Sequence, residues 1–566
     1  MKSVSGKNWE EIFTNPRLIE KAKLDYNLND LQSKLVISRK FTDIELYTIR
    51  NKLNLTNPFY KNLDFISACE LLKKHLDKKN DILIIGDYDV DGCISTSLMV
   101  NFLKKFKTNV TYYIPDRFKD GYGANKDLVK KLIFGKKINL VMFLDCGSSS
   151  HGAIDYLKKE NIDTIIIDHH NLHKPYPLSN IIINPKKNID FKKYDYLCSA
   201  FLTYLFIDLY YNINKIKSSL SKNLIYVLLA TISDIMPIRG LNRLLAINVL
   251  RNFDINKNII INTIFKLSNL KKKIEIDDLG YLIGPIINSA GRISNANQII
   301  KLLTSSSIKD KNRIIENIIS LNKKRKNLEK RILDNINYKD IEKTKGIIFI
   351  YLPNVSEGII GIIASRIKEY FNKPCVVLTN SSDILKGSAR STSNFNIGDY
   401  IYKALNKNIL INGGGHNLAA GVSLSKNRLN DFKYFLNSFF VNNNFLLNNN
   451  YISRIPLSSI NKKLINDINL IGPFGFKNSK PIFLVKNILL IKPKILKNKY
   501  ISCFVKSNNK IIRAISFNQI TSRVSYEILN SKTKVNIFVK LAENVFNNSR
   551  NIQVEIIDIN KATINT

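Results

Sequence analysis

The chain has 566 residues and carries 86 Lys and Arg against 46 Asp and Glu, a formal net charge of +40 at pH 7. Length predicts three or four domains with ample core, at roughly 100 to 200 residues each. Such a charge attracts a polyanion, but Lys, Asn and Ile are abundant along the whole chain, as A- and T-rich coding would produce, so the charge permits that partner without demanding it.

The six cysteines, Cys69, Cys93, Cys146, Cys198, Cys375 and Cys503, lie far apart with no CxxC pair, which argues against a zinc ribbon and a disulfide framework. The opening MKSVSGKNWEEIF lacks the apolar core of a signal peptide, and no stretch approaches the ~20 apolar residues of a membrane span. A reduced, cytoplasmic protein away from membranes is the expectation.

Residues 1–60 read as a polar, helical N-terminal extension, a lid or an edge. Next, DILIIGDYDVDG predicts a buried strand, Ile82 to Ile85, followed by Asp87, Asp89 and Asp91 at alternate positions. LVMFLDCGSSSH repeats the pattern and ends in Asp145 and His151, and TIIIDHH ends in Asp168, His169 and His170. A further acid, Asp234, sits in LLATISDIMP. Short continuous apolar runs of this kind suit a parallel sheet buried on both faces, whose ligands bind beyond the carboxyl ends of the strands. The acids then converge on one crevice, where like charges resist joint ionisation unless divalent cations are present. A carboxylate-rich set with imidazole suits Mg²⁺ or Mn²⁺ rather than structural zinc. DxDxDG also opens an EF-hand loop, but position twelve would be Leu98 and a strand precedes it. For any one Asp a simple helix cap is the competing reading; recurrence on every predicted strand end is what favours a metal site.

Farther along, apolar positions Ile308, Ile315, Ile318, Ile319, Leu328, Ile332 and Ile336 predict one long helix over Ser305 to Asp340, roughly 50 Å in length. Its polar face, with Lys323, Lys324, Arg325, Lys326, Lys330 and Arg331, is either a solvated surface or the lining of a groove. GIIFIY and CVVLT predict strands of a second α/β domain. There KGSARS offers Ser388, Arg390 and Ser391 to a phosphate, and the glycines Gly413, Gly414 and Gly415, with His416 after them, allow close backbone approach or form only a flexible turn. VNNNFLLNNN, residues 441–450, reads as a linker, and FLVKNILLI, YISCFVK, RAISF and VNIFVKLAE predict a small β-barrel, best an OB-fold.

GDYDVDG, LDCGSSSH, IDHH and ISDIMP, in this order, resemble the successive motifs of the DHH phosphoesterase superfamily. GPIINSAGR (284–292), EGIIGIIASR (357–366), KGSARS, GGGHNLAAG (413–421) and LIGPFGFKNSKPIF (470–483) extend the resemblance to its RecJ exonuclease family, over about residues 60–560. The division expected is an N-terminal extension at 1–60 and a parallel-sheet DHH domain at 61–236. A helical connector at 237–344 with the long helix, a second α/β, DHH-associated domain at 345–440 and an OB-like barrel at 451–566 complete it.

The resemblance implies a single-stranded-DNA-specific exonuclease that runs 5′ to 3′, releases mononucleotides with two Mn²⁺ or Mg²⁺ ions, and serves recombination and repair. Asp145, alone on its strand end, is the natural bridging ligand, and the family implies Asp89, Asp91, His169 and Asp234 as terminal ligands. Asp87 is a ligand or orients one. His170 is better placed to contact phosphate or donate a proton, since adjacent side chains on extended backbone point opposite ways, and Asp168 accepts from a ring N–H. Arg292, Ser388, Arg390, Ser391, Gly414, Gly415 and His416 are expected to hold a nucleotide phosphate. Implied partners are single-stranded DNA, a single-stranded-DNA-binding protein and a helicase, with the chain itself a monomer.

Three departures stand out. Ile286 replaces an Arg, CSA (198–200) replaces a glycine-rich segment, and Cys146 replaces an Asn; weaker DNA affinity or processivity is the expected effect. Other DHH relatives cleave cyclic dinucleotides, very short oligonucleotides or pyrophosphate, but usually without the long helix and barrel. A non-catalytic accessory protein would have lost the acids.

Overall fold

A computed structural model describes residues 1–116, 120, 123–392, 394–441, 448–520, 522–546 and 549–561. The chain divides into two compact units. One comprises Met1–Asn54, Pro237–Ile247 and the described residues of Phe445–Thr566; the other comprises Leu55–Met236 and the described residues of Asn248–Asn444.

In the larger unit, strands Val110–Tyr113, Asp81–Gly86, Ile138–Leu144, Asp163–Ile167 and Ile181–Ile183 lie side by side in that order, every pair parallel. Ile82 to Ile85, Leu140 to Leu144 and Ile165 to Ile167 are all buried, because both faces of the sheet are covered. The acids that end these runs therefore emerge along one edge of the sheet.

The same unit holds a second sheet, ordered Asn412–His416, Ala419–Ser425, Ile384–Arg390, Cys375–Ser381 and Ile348–Tyr351, antiparallel except for its last pair. Helix Glu357–Phe371 packs on it through Ile359, Ile360, Ile363, Ala364 and Ile367. Between the sheets runs a helix, Ile308–Asp334, shorter than the expected span. It stops because Asn337 starts a separate short helix, Tyr338–Glu342, by accepting the Lys339 N–H. At 1.5 Å per residue the long helix extends about 40 Å. Ile315 and Ile318 are buried along it, while Ile308 is exposed. Arg325 does not belong to a solvated or groove-lining face. It is buried, bonds Asn322 and Glu329 at 3.0 Å each, and Glu329 takes Arg366 of helix Glu357–Phe371 at 2.8 Å.

The smaller unit is built on a closed barrel. Strands Phe483–Leu496, Tyr500–Ser507, Lys510–Ser516, Ser549–Lys561 and Val535–Phe546 follow one another, and the last pairs back with the first. Helix Arg523–Asn530 precedes the closing strands, as in an OB-fold. On the outer face of the two middle strands, Tyr500 meets Phe517 edge-on at 5.2 Å, Phe504 lies opposite Arg513, and Lys506 lies opposite Ile511. Phe504, Ile511 and Phe517 are exposed. Within the linker read at 441–450, residues 442–447 lie outside the described residues.

The N-terminal residues are built into the smaller unit. Strand Asn8–Glu11 pairs in parallel with Asn448–Tyr451, and Trp9 stacks on Phe538 at 4.3 Å while its indole N–H donates to the buried Asp558 at 2.9 Å. Leu35, Val36 and Ile49 join the barrel core. The segment at 237–247, expected with the connector, is tied in here too. Arg239 grips Glu45 with two bonds of 2.7 and 2.6 Å, the Gly240 and Thr42 N–H groups reach the same carboxylate, and Arg243 donates to the Gly472 carbonyl at 2.8 Å.

Burial would raise the Glu45 pKa, but Arg239 and the two backbone donors outweigh it and hold the carboxyl below its ordinary value. A depressed carboxylate stabilises the fold above its unfolded value of about 4.3, and the contribution fades as pH falls through the folded value. Glu45→Gln is expected to lower unfolding free energy by about 3 kcal/mol at pH 7 in urea titrations. The difference should shrink below about pH 4; a pH-independent difference would argue that the ion pair is not the cause.

Candidate metal centre

Each acid reaches the sheet edge by a different local device. Asp145 follows its strand with φ of 61°, a left-handed conformation uncommon in non-glycine residues though favoured by Asn and Asp. Asp89 is the N-cap of helix Val90–Leu103, accepting from the Gly92 N–H at 3.0 Å, so the bland cap reading and membership of the cluster are both true of it. Asp91 receives the Ser199 and Ala200 N–H groups at 2.8 Å each, at the start of helix Ser199–Ile213. These donors are backbone groups, and Cys198 sits at φ −82°. The CSA segment therefore does this work without glycine. Cys146 packs under the site with its thiol facing the Ile85 carbonyl at 3.4 Å. Asp234 ends helix Leu224–Ser233, just before Ile235 at φ 55°.

These atoms meet. His169 Nε2 lies 3.3 Å from Asp234, 3.5 Å from Asp145 and 3.8 Å from Asp91. Three sets, each with ligand atoms within 4.8 Å of one another, share members: Asp87, Asp89 and Asp145; Asp91, His169 and Asp234; and Asp145, His169 and His170. Asp145 and His169 each belong to two of them, and of the two only Asp145 has a second carboxylate oxygen to offer. His151 is exposed at the start of its helix and enters no such set among the described residues.

Asp168 enters none of these sets among the described residues. Its Oδ1 accepts from the His169 and His170 N–H groups at 2.7 and 3.1 Å and from His170 Nδ1 at 2.8 Å, and its Oδ2 accepts from the Ser148 N–H at 3.1 Å. Despite burial, His170 and these donors hold the carboxyl far below its ordinary range. In turn, and against its own burial, Asp168 raises the His170 imidazole to about 9, which keeps that ring protonated at neutral pH. His169 is the opposite case: burial, and then the charge of His170, push its pKa well down, leaving a neutral ring suited to a metal.

On the second sheet, His416 stacks over His170 with ring centroids 5.4 Å apart. A Cβ added to Gly414 would meet nothing within 4 Å, so open space lies beside it. Arg390 bonds Ser388 at 3.0 Å, and Arg292 donates to the Gly358 carbonyl at 3.1 Å. One of the sequence expectations changes. Ser391 is buried, with its hydroxyl donated to the Phe395 carbonyl at 2.6 Å, so it braces a turn instead of facing a phosphate. Ile286 is buried in its helix, so this position serves the core.

Three residues were missed by sequence reasoning. Asn184, fully buried, donates to Ser148 at 2.9 Å and to the His170 carbonyl at 3.0 Å. Lys186 donates to the His169 carbonyl at 2.6 Å and to Asn171 at 3.2 Å. Both sit in INPKKN, just past a strand of three residues, and an apolar run that short gave no signal. Gly291 is the third. A Cβ there would lie 2.4 Å from the Tyr88 carbonyl, so the helix Gly284–Ile293 can press against the DYD turn only with glycine at that point.

The donor set fits divalent cations. Asp145 Oδ1 is buried and accepts no hydrogen bond. Burial first, and then neighbouring carboxylates, raise Asp91 to about 6 and lift Asp145 and Asp234 well above their ordinary range. A cation therefore displaces protons when it binds. Mn²⁺ affinity, read by calorimetry in buffers of different ionisation enthalpy, is expected to fall roughly tenfold per pH unit for each proton released as pH drops from 7.5 to 5.5. Affinity that is flat over that range would contradict the protonated apo cluster.

Residues 81–232 match the DHH family N-terminal domain, residues 344–442 the DHHA1 domain, and residues 453–558 the RecJ OB domain. The chain is 27% identical over 553 residues to the single-stranded-DNA-specific exonuclease RecJ of Bacillus subtilis, covering 94% of this chain and 68% of that one. To the protein of the same name from Salmonella typhimurium it is 27% identical over 521 residues, covering 87% and 89%. The crystal structure of RecJ with Mn²⁺ from Thermus thermophilus superposes with a TM-score of 0.82 over 98% of this chain and 80% of that one, at 20% identity, a likeness of fold. With all three domain types present in this order, the chain belongs to the RecJ family of DHH phosphoesterases.

Proposed function

We propose that the chain is a metal-dependent exonuclease that hydrolyses single-stranded DNA from the 5′ end, releases mononucleotides and acts in recombination and repair. One observation carries this reading: the carboxylate cluster and the glycine-rich loop of the second domain face each other, with His416 stacked 5.4 Å from His170. A centre able to cleave a phosphodiester thus stands opposite a loop able to grip a phosphate.

Two divalent cations, Mn²⁺ or Mg²⁺, would supply a water of lowered pKa and neutralise charge on the scissile phosphate. Asp89, Asp91, Asp145, His169 and Asp234 would hold them, with Asp145 between the two and Asp87 as a further ligand or an orienting group. His170, its Nδ1 hydrogen-bonded to Asp168 at 2.8 Å, is the chain's own group placed to donate to a phosphate oxygen or to the leaving oxygen. Ser388, Arg390, Arg292, the open backbone at Gly414, the adjacent Gly415, and His416 hold the phosphate. On the barrel, Tyr500, Phe504 and Phe517, with Arg513 and Lys506 beside them, form a stacking and basic platform of the kind that binds single strands. A single-stranded-DNA-binding protein and a helicase are the partners this reading expects, and a monomer suffices for it.

End-labelled single-stranded DNA incubated with Mn²⁺ should yield mononucleotides from its 5′ end, beside intact duplex. Turnover confined to cyclic or linear dinucleotides would select a different DHH activity. Asp145→Ala should lower the rate by at least roughly 10³-fold; near-native activity with Mn²⁺ present would sink the assignment. Phe504→Ala should weaken single-strand binding by about 1–3 kcal/mol without changing the Mn²⁺ requirement, and unchanged affinity would remove the barrel face from the binding surface.

A further inference from the structure

The segment that follows the histidine pair makes three separate contacts with the second domain. His170 stacks on His416, Asn171 Nδ2 donates to the Gly415 carbonyl at 3.2 Å, and His173 stacks on Tyr402 at 4.9 Å with the rings 13° from parallel. Lys186 donates to Asn171 Oδ1 at 3.2 Å while bonding the His169 carbonyl at 2.6 Å. The Asn171 amide is thereby oriented with its N–H group towards Gly415. Tyr402 lies on helix Ile397–Asn406, whose start is seated on the glycine-rich loop. Ile397 N donates to the Asn417 carbonyl at 3.1 Å, and a Cβ on Gly398 would lie 2.8 Å from the His416 carbonyl. That helix and that loop thus form one body, and residues 170–173 touch it at both parts.

From this geometry we infer that His170 to His173, braced by Lys186 and Asn184, is a latch that sets the register between the phosphate-gripping loop and the carboxylate centre. Asn171, Tyr402 and Lys186 are positioning residues. None contacts the acids that would hold metal, so loosening the latch leaves the metal centre intact but lets the loop wander. A bound phosphate then has to order the loop, and the cost appears as weaker substrate binding. The inference rests on the proposed function for its kinetic consequence and on the three contacts alone for its structural one.

The test is the full-length Asn171→Ala/Tyr402→Ala chain with Mn²⁺, read two ways. By hydrogen exchange, the amides of Gly413 to His416 should exchange at least roughly fivefold faster than in the unaltered chain, with strand Ile138–Leu144 unchanged. By kinetics on single-stranded DNA, KM should rise roughly tenfold with kcat within about twofold. Tyr402→Phe, which keeps the stacking ring, should restore both readouts when paired with native Asn171. Unchanged exchange at the loop, a fall in kcat at constant KM, or a Tyr402→Phe chain as impaired as Tyr402→Ala would each overturn the latch. The exchange result judges the latch whether or not DNA is cut. Failure of the unaltered chain to degrade single strands would count against the function alone.

Discussion

Mutual repulsion among buried carboxylates is the constraint that shapes the larger unit. Asp87, Asp91 and Asp145 are each nearly inaccessible, and in the absence of cations Asp91 and Asp145 are pushed towards protonation by burial first and then by neighbouring carboxylates, Asp89 above all for Asp91. The fold keeps them together because each is fixed from behind by something other than its neighbours. Asp145 is held by a left-handed turn, Asp91 by the first amides of a helix, and Asp168 by four donors that keep it out of the cluster. Local backbone geometry is rigid where the electrostatics are unfavourable.

The second domain depends on the same edge of the sheet. Helix Gly284–Ile293 touches the acid-bearing turn at Tyr88 through Gly291, and the next residue, Arg292, bonds the start of helix Glu357–Phe371. The long helix packs against both, through Ser289 to the Ile318 carbonyl and through Glu329 to Arg366. A chain of direct contacts therefore runs from the carboxylates to the sheet that carries Ser388 and Arg390. The His170–His416 stack closes the loop from the other side.

The strand-end acids and the order of domains were legible from sequence, because a buried parallel sheet requires continuous apolar runs and the acids directly follow them. The barrel strands were legible too, since their alternation and turn residues are local. What could not be read was whatever depends on partners distant in sequence. Arg325 looked like one charge among many on a basic face, and only Glu329 with Arg366 explains its burial. Ser391 looked equivalent to Ser388, yet it faces Phe395. Residues 1–54 carried no strong pattern, because Trp9 and Glu45 find their partners at Asp558 and Arg239, hundreds of residues away. Asn184 and Lys186 act through backbone carbonyls of the histidine pair, a role that leaves no periodic trace.

On the proposed function, this carboxylate set would hold two cations that share Asp145. The most direct measurement is an equilibrium Mn²⁺ titration followed by electron paramagnetic resonance on the metal-free chain. Two ions bound per chain with a spin-coupled signal, reduced to a single uncoupled ion in Asp145→Asn, is the predicted result. One ion per chain in the unaltered protein, or two ions with no coupling between them, would contradict it.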